Sequence, residues 1–212
     1  MAPVLHVRLL GECCLNYSQT TVTEVSTPRL QSLLAYLLVH REAPQSRSHV
    51  AFQFWPDSTE AQAHSNLRTL LHRLRQALPD ADHFLSAKGQ TLQWRPDAPY
   101  TLDVTSFEEA LARAEQAGDR VEIRSALEQA IGHYGGDLLS SCYDDWILPE
   151  RERLHQAYIG AIETLIQVLE EGRAYGEAIG YAQRLLRQDP LHEAVYRRLM
   201  RLRALSGDRA GA

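Results

Sequence analysis

Between residues 65 and 76, Ser65, Arg68, Thr69, His72, Arg75 and Gln76 recur at spacings of three and four, with Arg73 at the border of the set. On a helix this spacing gathers the side chains on one face. The face is rich in hydrogen-bond donors and bare of acidic residues. Arg, Gln, Ser and Thr are side chains that read base edges in the major groove of duplex DNA, which is wide enough to admit one helix, while Arg73 stands where it would reach phosphate. Charge pattern alone fits a solvated helix face equally well, so the elements around it must decide. Arg47 and Ser48 open the preceding helix and would offer a helix N-terminus and a cation to the phosphate backbone. Lys88 and Gln90 flank Gly89 in a tight turn and would reach phosphates or the flanking minor groove.

Other chemistries have less support. No GxxxxGK[ST] phosphate loop and no GxSxG nucleophile elbow occurs. The Asp144-Asp145 pair beside Trp146 reads as the cap of a following helix, and the histidines lack a catalytic arrangement, so the chain is not read as an enzyme and no catalytic residue is assigned. The three cysteines, Cys13, Cys14 and Cys142, are odd in number and two are adjacent, which suits reduced thiols. Neither CxxC nor HxxxH spacing is present, so no metal and no cofactor is expected.

The elements that must position this face follow from periodicity. Leu5–Gly11, Cys14–Tyr17 and Thr21–Val25 read as short strands. Thr27-Pro28 opens a helix, with Thr as N-cap and Pro at its first position, and Leu30, Leu33, Leu34, Leu37 and Leu38 form its apolar stripe. A second helix starts at Ser46-Arg47-Ser48-His49, runs into Val50, Phe52 and Trp55, and ends at Pro56-Asp57. A third spans Ser58 to Leu78 on a stripe of Leu67, Leu70, Leu71, Leu74 and Leu78, and Pro79-Asp80 stops it. Phe84–Ser86 and Thr91–Trp94, joined through Lys88-Gly89-Gln90, read as a hairpin. Short strands, three helices and a hairpin make a winged helix-turn-helix, and this order raises the DNA reading above the solvated-face reading.

Pro96 and Pro99 mark a boundary, giving expected domains at 1–98 and 99–212. The second half is helical in pattern, over Ser106–Ala117, Val121–Tyr134, Leu148–Glu171, Tyr175–Gln188 and Leu191–Leu205. Trp146, beside Ile147 and Leu148, is expected to be buried and to hold this helical domain together. A shift of 34 residues aligns Ile162 with Tyr196, Leu165 with Leu199, Val168 with Leu202 and Ala178 with Ala212, the period of the tetratricopeptide repeat. Gly207-Asp208-Arg209 then takes the inter-helix turn, and the chain is expected to be truncated at its C-terminus just as a helix should begin. The fold class is therefore mainly α with a small β part, a winged helix followed by an all-α, repeat-like domain.

Charge divides with the halves. Residues 1–98 hold nine Lys and Arg against eight Asp and Glu, with six of the nine histidines, while the overall net charge of −5 comes from the second half. A near-neutral first half still binds phosphates if its arginines cluster. No apolar run approaches the ~20 residues of a membrane span, and the N-terminus lacks the pattern of a signal peptide, so a cytoplasmic protein is expected.

With these residues in place, the chain resembles the SARP-type (antibiotic-regulatory) bacterial transcriptional activators, which join an OmpR-like winged helix to a helical bacterial transcriptional activation domain. The similar segments are Val7–Gly11, Thr27–Leu38, Asn66-Leu67-Arg68 with His72–Arg75, then Tyr134–Leu139 and Asp144–Ile147 with Glu150–Leu154. The chain departs from the family in carrying less basic charge on the third helix, and in His72, where a serine is common. The resemblance implies direct-repeat binding by two or more protomers, with the third helix in the major groove of double-stranded DNA. It also implies contact with RNA polymerase through the loop Pro56–Ala63, where Asp57 and Glu60 stand. The alternative is an interaction module whose winged helix no longer binds DNA and whose helical repeats hold a partner.

Overall fold

Alternation along Leu5–Arg8 produces strand β1, with Leu5 and Val7 buried and His6 and Arg8 exposed. In the computed structural model, which describes residues 3–208 and 211, β1 pairs antiparallel with β2 (Cys14–Tyr17), and β2 with the two-residue β3 (Thr20–Thr21). The strand expected over Thr21–Val25 thus pairs only at its start. Helices α1 (Pro28–Val39), α2 (Arg47–Phe54) and α3 (Glu60–Ala77) follow, with β4 (Gln45–Ser46) between the first two. A one-turn helix α4 (Ala81–Phe84) leads into β5 (Leu85–Ser86) and β6 (Thr91–Trp94). Strand β7 (Tyr100–Leu102) lies parallel to β1, which completes a four-stranded sheet of order β3-β2-β1-β7, while β4, β6 and β5 form a second, three-stranded sheet. The later helices are α5 (Asp103–Gln116), α6 (Arg120–His133), α7 (Ile147–Glu171), α8 (Tyr175–Gln188) and α9 (Glu193–Leu205). The fold is mainly α with a small β part, as expected. Arg209 and Ala212, which closed the 34-residue alignment, lie outside the described residues, as do Met1, Ala2 and Ala210.

Two compact units emerge, and they interleave in sequence. One comprises residues 1–103 and 135–152, the other 104–134 and 153–212. The chain thus leaves the first unit for α5 and α6 and returns to it before α7 continues in the second. In the first unit the Thr27 hydroxyl accepts from Leu30 N and Pro28 takes the first helical position, which starts α1 where its sequence signals it. The leucine stripe of α1 is buried together with Tyr36 and Ser32. Leu67, Leu70, Leu71 and Leu74 of α3 are buried with Trp94, Phe84 and Phe54.

Segment 135–152 closes this unit with dense backbone pairing. Gly11 N donates to Asp137 O at 3.0 Å and Leu139 N to Leu9 O at 2.9 Å, while the Asp103 carboxylate accepts from Leu9 N and Leu10 N at 2.9 and 2.8 Å. The Arg151 guanidinium donates to the carbonyls of Leu138, Leu139 and Cys142. Close approach requires glycine here: a Cβ on Gly135 would stand 2.8 Å from Leu10 O, a backbone atom that cannot swing aside. Gly135→Ala is therefore expected to lower the stability of the first unit by about 1–3 kcal/mol, the usual cost of overpacking. Denaturant midpoints of the parent and the variant check this, and an unchanged midpoint would show that the Leu9–Gly11 backbone does not lie against the segment.

The second unit packs Phe107 and Ala110 of α5, Leu127 and Ile131 of α6, and Leu154, Tyr158, Ile162 and Leu165 of α7 into a continuous core. The rings of Tyr134 and Tyr158 stack at 4.1 Å. Asp119 caps α6 by accepting from Val121 N and Glu122 N. The positions aligned by the 34-residue shift differ in environment: Ile162 and Leu165 are fully buried, whereas Tyr196 is 44% exposed and only Leu202 of α9 is fully enclosed. No described helix is long and apolar enough to cross a membrane.

Candidate nucleic-acid interface

Helix α3 begins where Thr59 caps it by accepting from Gln62 N at 3.3 Å, one or two residues inside the expected start. Its two faces separate cleanly. Ala63, Leu67, Leu70, Leu71 and Leu74 are buried, while Ser65, Arg68, Thr69, His72, Arg73, Arg75 and Gln76 are all exposed. The structure therefore brings the seven predicted side chains to one exposed surface of one helix. Three of them have internal ties. The Thr69 hydroxyl donates to Ser65 O at 3.1 Å, and Arg75 stands 3.7 Å from the Asp82 carboxylate. That ion pair is long and exposed, so it holds Arg75 weakly.

The C-terminal end of α3 is fixed by its surroundings. Asp80, in the left-handed region at φ 47, accepts from the Tyr17 hydroxyl at 2.5 Å, and this hydrogen bond is the main reason the phenol is pushed up to about 12. The Tyr17 ring also meets Phe84 edge-on. Strand β2 and α4 thus seat the end of the helix that carries Arg75 and Gln76.

Arg47, Ser48, His64, Arg68 and Gln90 line one cleft with Glu60, Leu67 and Gly89, of about 470 Å³. It joins the start of α2, the face of α3 and the β5–β6 turn. Arg47 N donates to Gln90 O at 2.9 Å, which ties the turn to α2. Arg47 itself is half-buried and its Nε is enclosed without a hydrogen-bond partner, so it is less available than an exposed cation. The Ser48 hydroxyl is engaged with His64 Nε2 at 3.3 Å. Lys88 and Gln90 are exposed at the turn, which closes through bonds from Thr91 N and its hydroxyl to Lys88 O. Gly89 takes φ +54 there, a left-handed conformation that glycine adopts without strain.

The sequence reading did not anticipate His64 or Asp82. His64 has a local signal, since it lies four residues after Glu60 and stands 3.8 Å from its carboxylate. Asp82 has none, because its meeting with Arg75 depends on how α4 turns back. In the loop between α2 and α3, Asp57 and Glu60 are exposed. Phe52 of α2 is 65% exposed and lines a groove with Trp55, Pro56 and Ala63.

No group of three or more His, Cys, Asp or Glu among the described residues could hold a metal ion. Burial is the main reason the Cys13 thiol is pushed up to about 12, with Cys14 and Asp103 adding to it, so a thiolate nucleophile is disfavoured there.

A winged helix with a donor-rich third helix, followed by an all-helical unit, defines a class of transcription regulators. The bacterial transcriptional activator domain matches residues 102–212, slightly more than half of the chain, and the chain belongs to that family. The family is regulatory and not an enzyme class. The match agrees with the SARP-type resemblance drawn from the sequence. Regulatory protein AfsR of Streptomyces griseus is 26% identical over 189 residues, covering 88% of this chain and 19% of that protein. AfsR of Streptomyces coelicolor is 25% identical with the same coverage. The chain thus spans about a fifth of the length of these relatives. Among solved structures, Mycobacterium tuberculosis EmbR in complex with a low-affinity phosphopeptide shares the fold, with a TM-score of 0.80 at 20% identity, over 99% of this chain and 57% of that one.

Proposed function

We propose that this chain is the DNA-binding and activation part of a transcriptional activator. Helix α3 enters the major groove and reads promoter direct repeats, with protomers side by side on double-stranded DNA. Ser65, Arg68, Thr69, His72, Arg75 and Gln76 face the bases, and Arg73, Arg47, Ser48, Lys88 and Gln90 face the backbone. The loop Pro56–Ala63, with Asp57 and Glu60, contacts RNA polymerase holoenzyme. One observation carries the reading: seven exposed donor or cationic side chains share one face of α3, and none of them is acidic. Titration of duplexes bearing direct repeats, at several salt concentrations, tests it. Log affinity should fall linearly with log salt as counterions are released, and the repeat duplex should win over a scrambled one. No shift at low salt would overturn the reading.

Lys88 is the sole lysine of the chain and sits at the exposed turn. Lys88→Ala is expected to weaken all duplexes about equally and to flatten the salt slope by about one unit, because a phosphate contact positions without reading sequence. A changed sequence preference, measured by competition between duplexes, would instead place Lys88 on a base.

An interaction module is favoured by one observation, the exposed apolar side chains Leu191, Tyr196, Met200 and Leu205 at and around α9. The same duplex titration separates the two, since such a module would show no salt-dependent shift.

A further inference from the structure

Asp144 belongs to the segment that returns to the first unit, yet it reaches the start of α1. Its Oδ1 pairs with Arg29 Nη1 at 2.8 Å and its Oδ2 accepts from the Ser32 hydroxyl at 2.5 Å. Ser32, fully buried, in turn accepts from Trp146 Nε1 at 3.0 Å. The carboxylate is therefore gripped from two sides and orients the guanidinium that it holds. That guanidinium lies over two rings, its carbon 5.9 Å from the centre of Phe54 and 5.7 Å from that of Trp55. Trp55 ends α2, donates its N–H to Ala51 O, and accepts from Ser58 N at 3.2 Å, so it anchors the first turn of the α2–α3 loop. Arg29 is about half exposed, and a free arginine there would spend its time in water.

We propose that Asp144 is a positioning residue for the α2–α3 loop, acting through Arg29 on Trp55. Segment 135–152 then does more than fill the core: it sets the conformation of a loop more than eighty residues earlier in the chain. The consequence for transcription rests on the reading of Pro56–Ala63 as the polymerase contact, but the positioning itself does not.

Hydrogen exchange on the full chain tests the positioning directly. Asp144→Asn keeps an acceptor for Ser32 and removes the charge that holds Arg29, and Arg29→Ala removes the same link from the exposed side. Both should raise amide exchange over residues 55–60 at least fivefold, while β1 and the Leu67–Leu74 stretch of α3 change less than twofold. Unchanged exchange in the loop overturns the proposal. An even rise across the unit overturns it too, because Asp144 would then be merely structural. A second arm compares promoter affinity with assembly of the promoter–polymerase complex, with the double variant Asp57→Ala/Glu60→Ala as control. Support is a tenfold weaker polymerase complex in Asp144→Asn at promoter affinity within twofold of the parent. Faster loop exchange with no polymerase effect in the double variant leaves the positioning standing and removes the polymerase reading. A polymerase effect in the double variant, with unchanged loop exchange in Asp144→Asn, does the reverse.

Discussion

Trp146→Ala is expected to destabilise the first unit by about 3–5 kcal/mol, the range for deleting a large buried aromatic. The ring is 8% exposed and meets Tyr36 edge-on at 5.2 Å, stacks near Phe54 at 6.4 Å and approaches His40 at 6.3 Å. Its Nε1–H also satisfies the buried Ser32 hydroxyl, so the truncation leaves both a cavity and a polar group short of a partner. The expectation that this residue holds the helical domain together is corrected by these contacts. Trp146 is buried, but among residues of α1 and α2. The loss should therefore appear in the unfolding of the first unit, and duplex affinity should fall with it. Chemical denaturation followed by near-UV circular dichroism and duplex titration checks both. A cost under about 1 kcal/mol would mean that the segment docks without contributing to the core.

Arg68→Ala should weaken binding to a repeat-bearing duplex by about 1–3 kcal/mol, or roughly five- to 150-fold, if the guanidinium makes a bidentate base contact. Arg75→Ala should fall at the lower end of that range. Its guanidinium must first leave Asp82, and although that pair is long at 3.7 Å, part of its reach is already spent. Both side chains are exposed and off the leucine stripe, so melting temperatures should barely move. Titration at one fixed salt concentration, with melting curves as control, reads the two effects separately. Full affinity in both variants would take α3 out of the groove.

Short-range rules made much of the first unit legible in its sequence. Thr27-Pro28 starts α1, the Leu67–Leu74 stripe sets the buried side of α3, and Lys88-Gly89-Gln90 makes the turn, because each depends on residues within about four positions of one another. The donor face of α3 is the exposed complement of its leucine stripe, so both could be read from one periodicity. The boundaries of the helical unit's elements were legible for the same reason.

Tertiary structure alone decided what meets across long separations. Strand β7 lies beside β1 although 95 residues separate the paired Leu5 and Tyr100, and three residues of strand leave too short an alternation to announce a partner. Arg75 finds Asp82, and Ser48 finds His64, only once α3 and its neighbours are packed. The same holds for segment 135–152. Its Gly135-Gly136 pair, Asp144 and Trp146 carry no periodic trace of a destination, and an apolar ring beside Ile147 and Leu148 has the same local pattern whichever core receives it. The backbone at Leu10, just past β1, which leaves no room for a Cβ at Gly135, and the pocket between Tyr36 and Phe54 place that segment in the first unit. The sequence by itself determined which side chains lie on which face of α1 and α3; close packing between distant segments decided which faces meet.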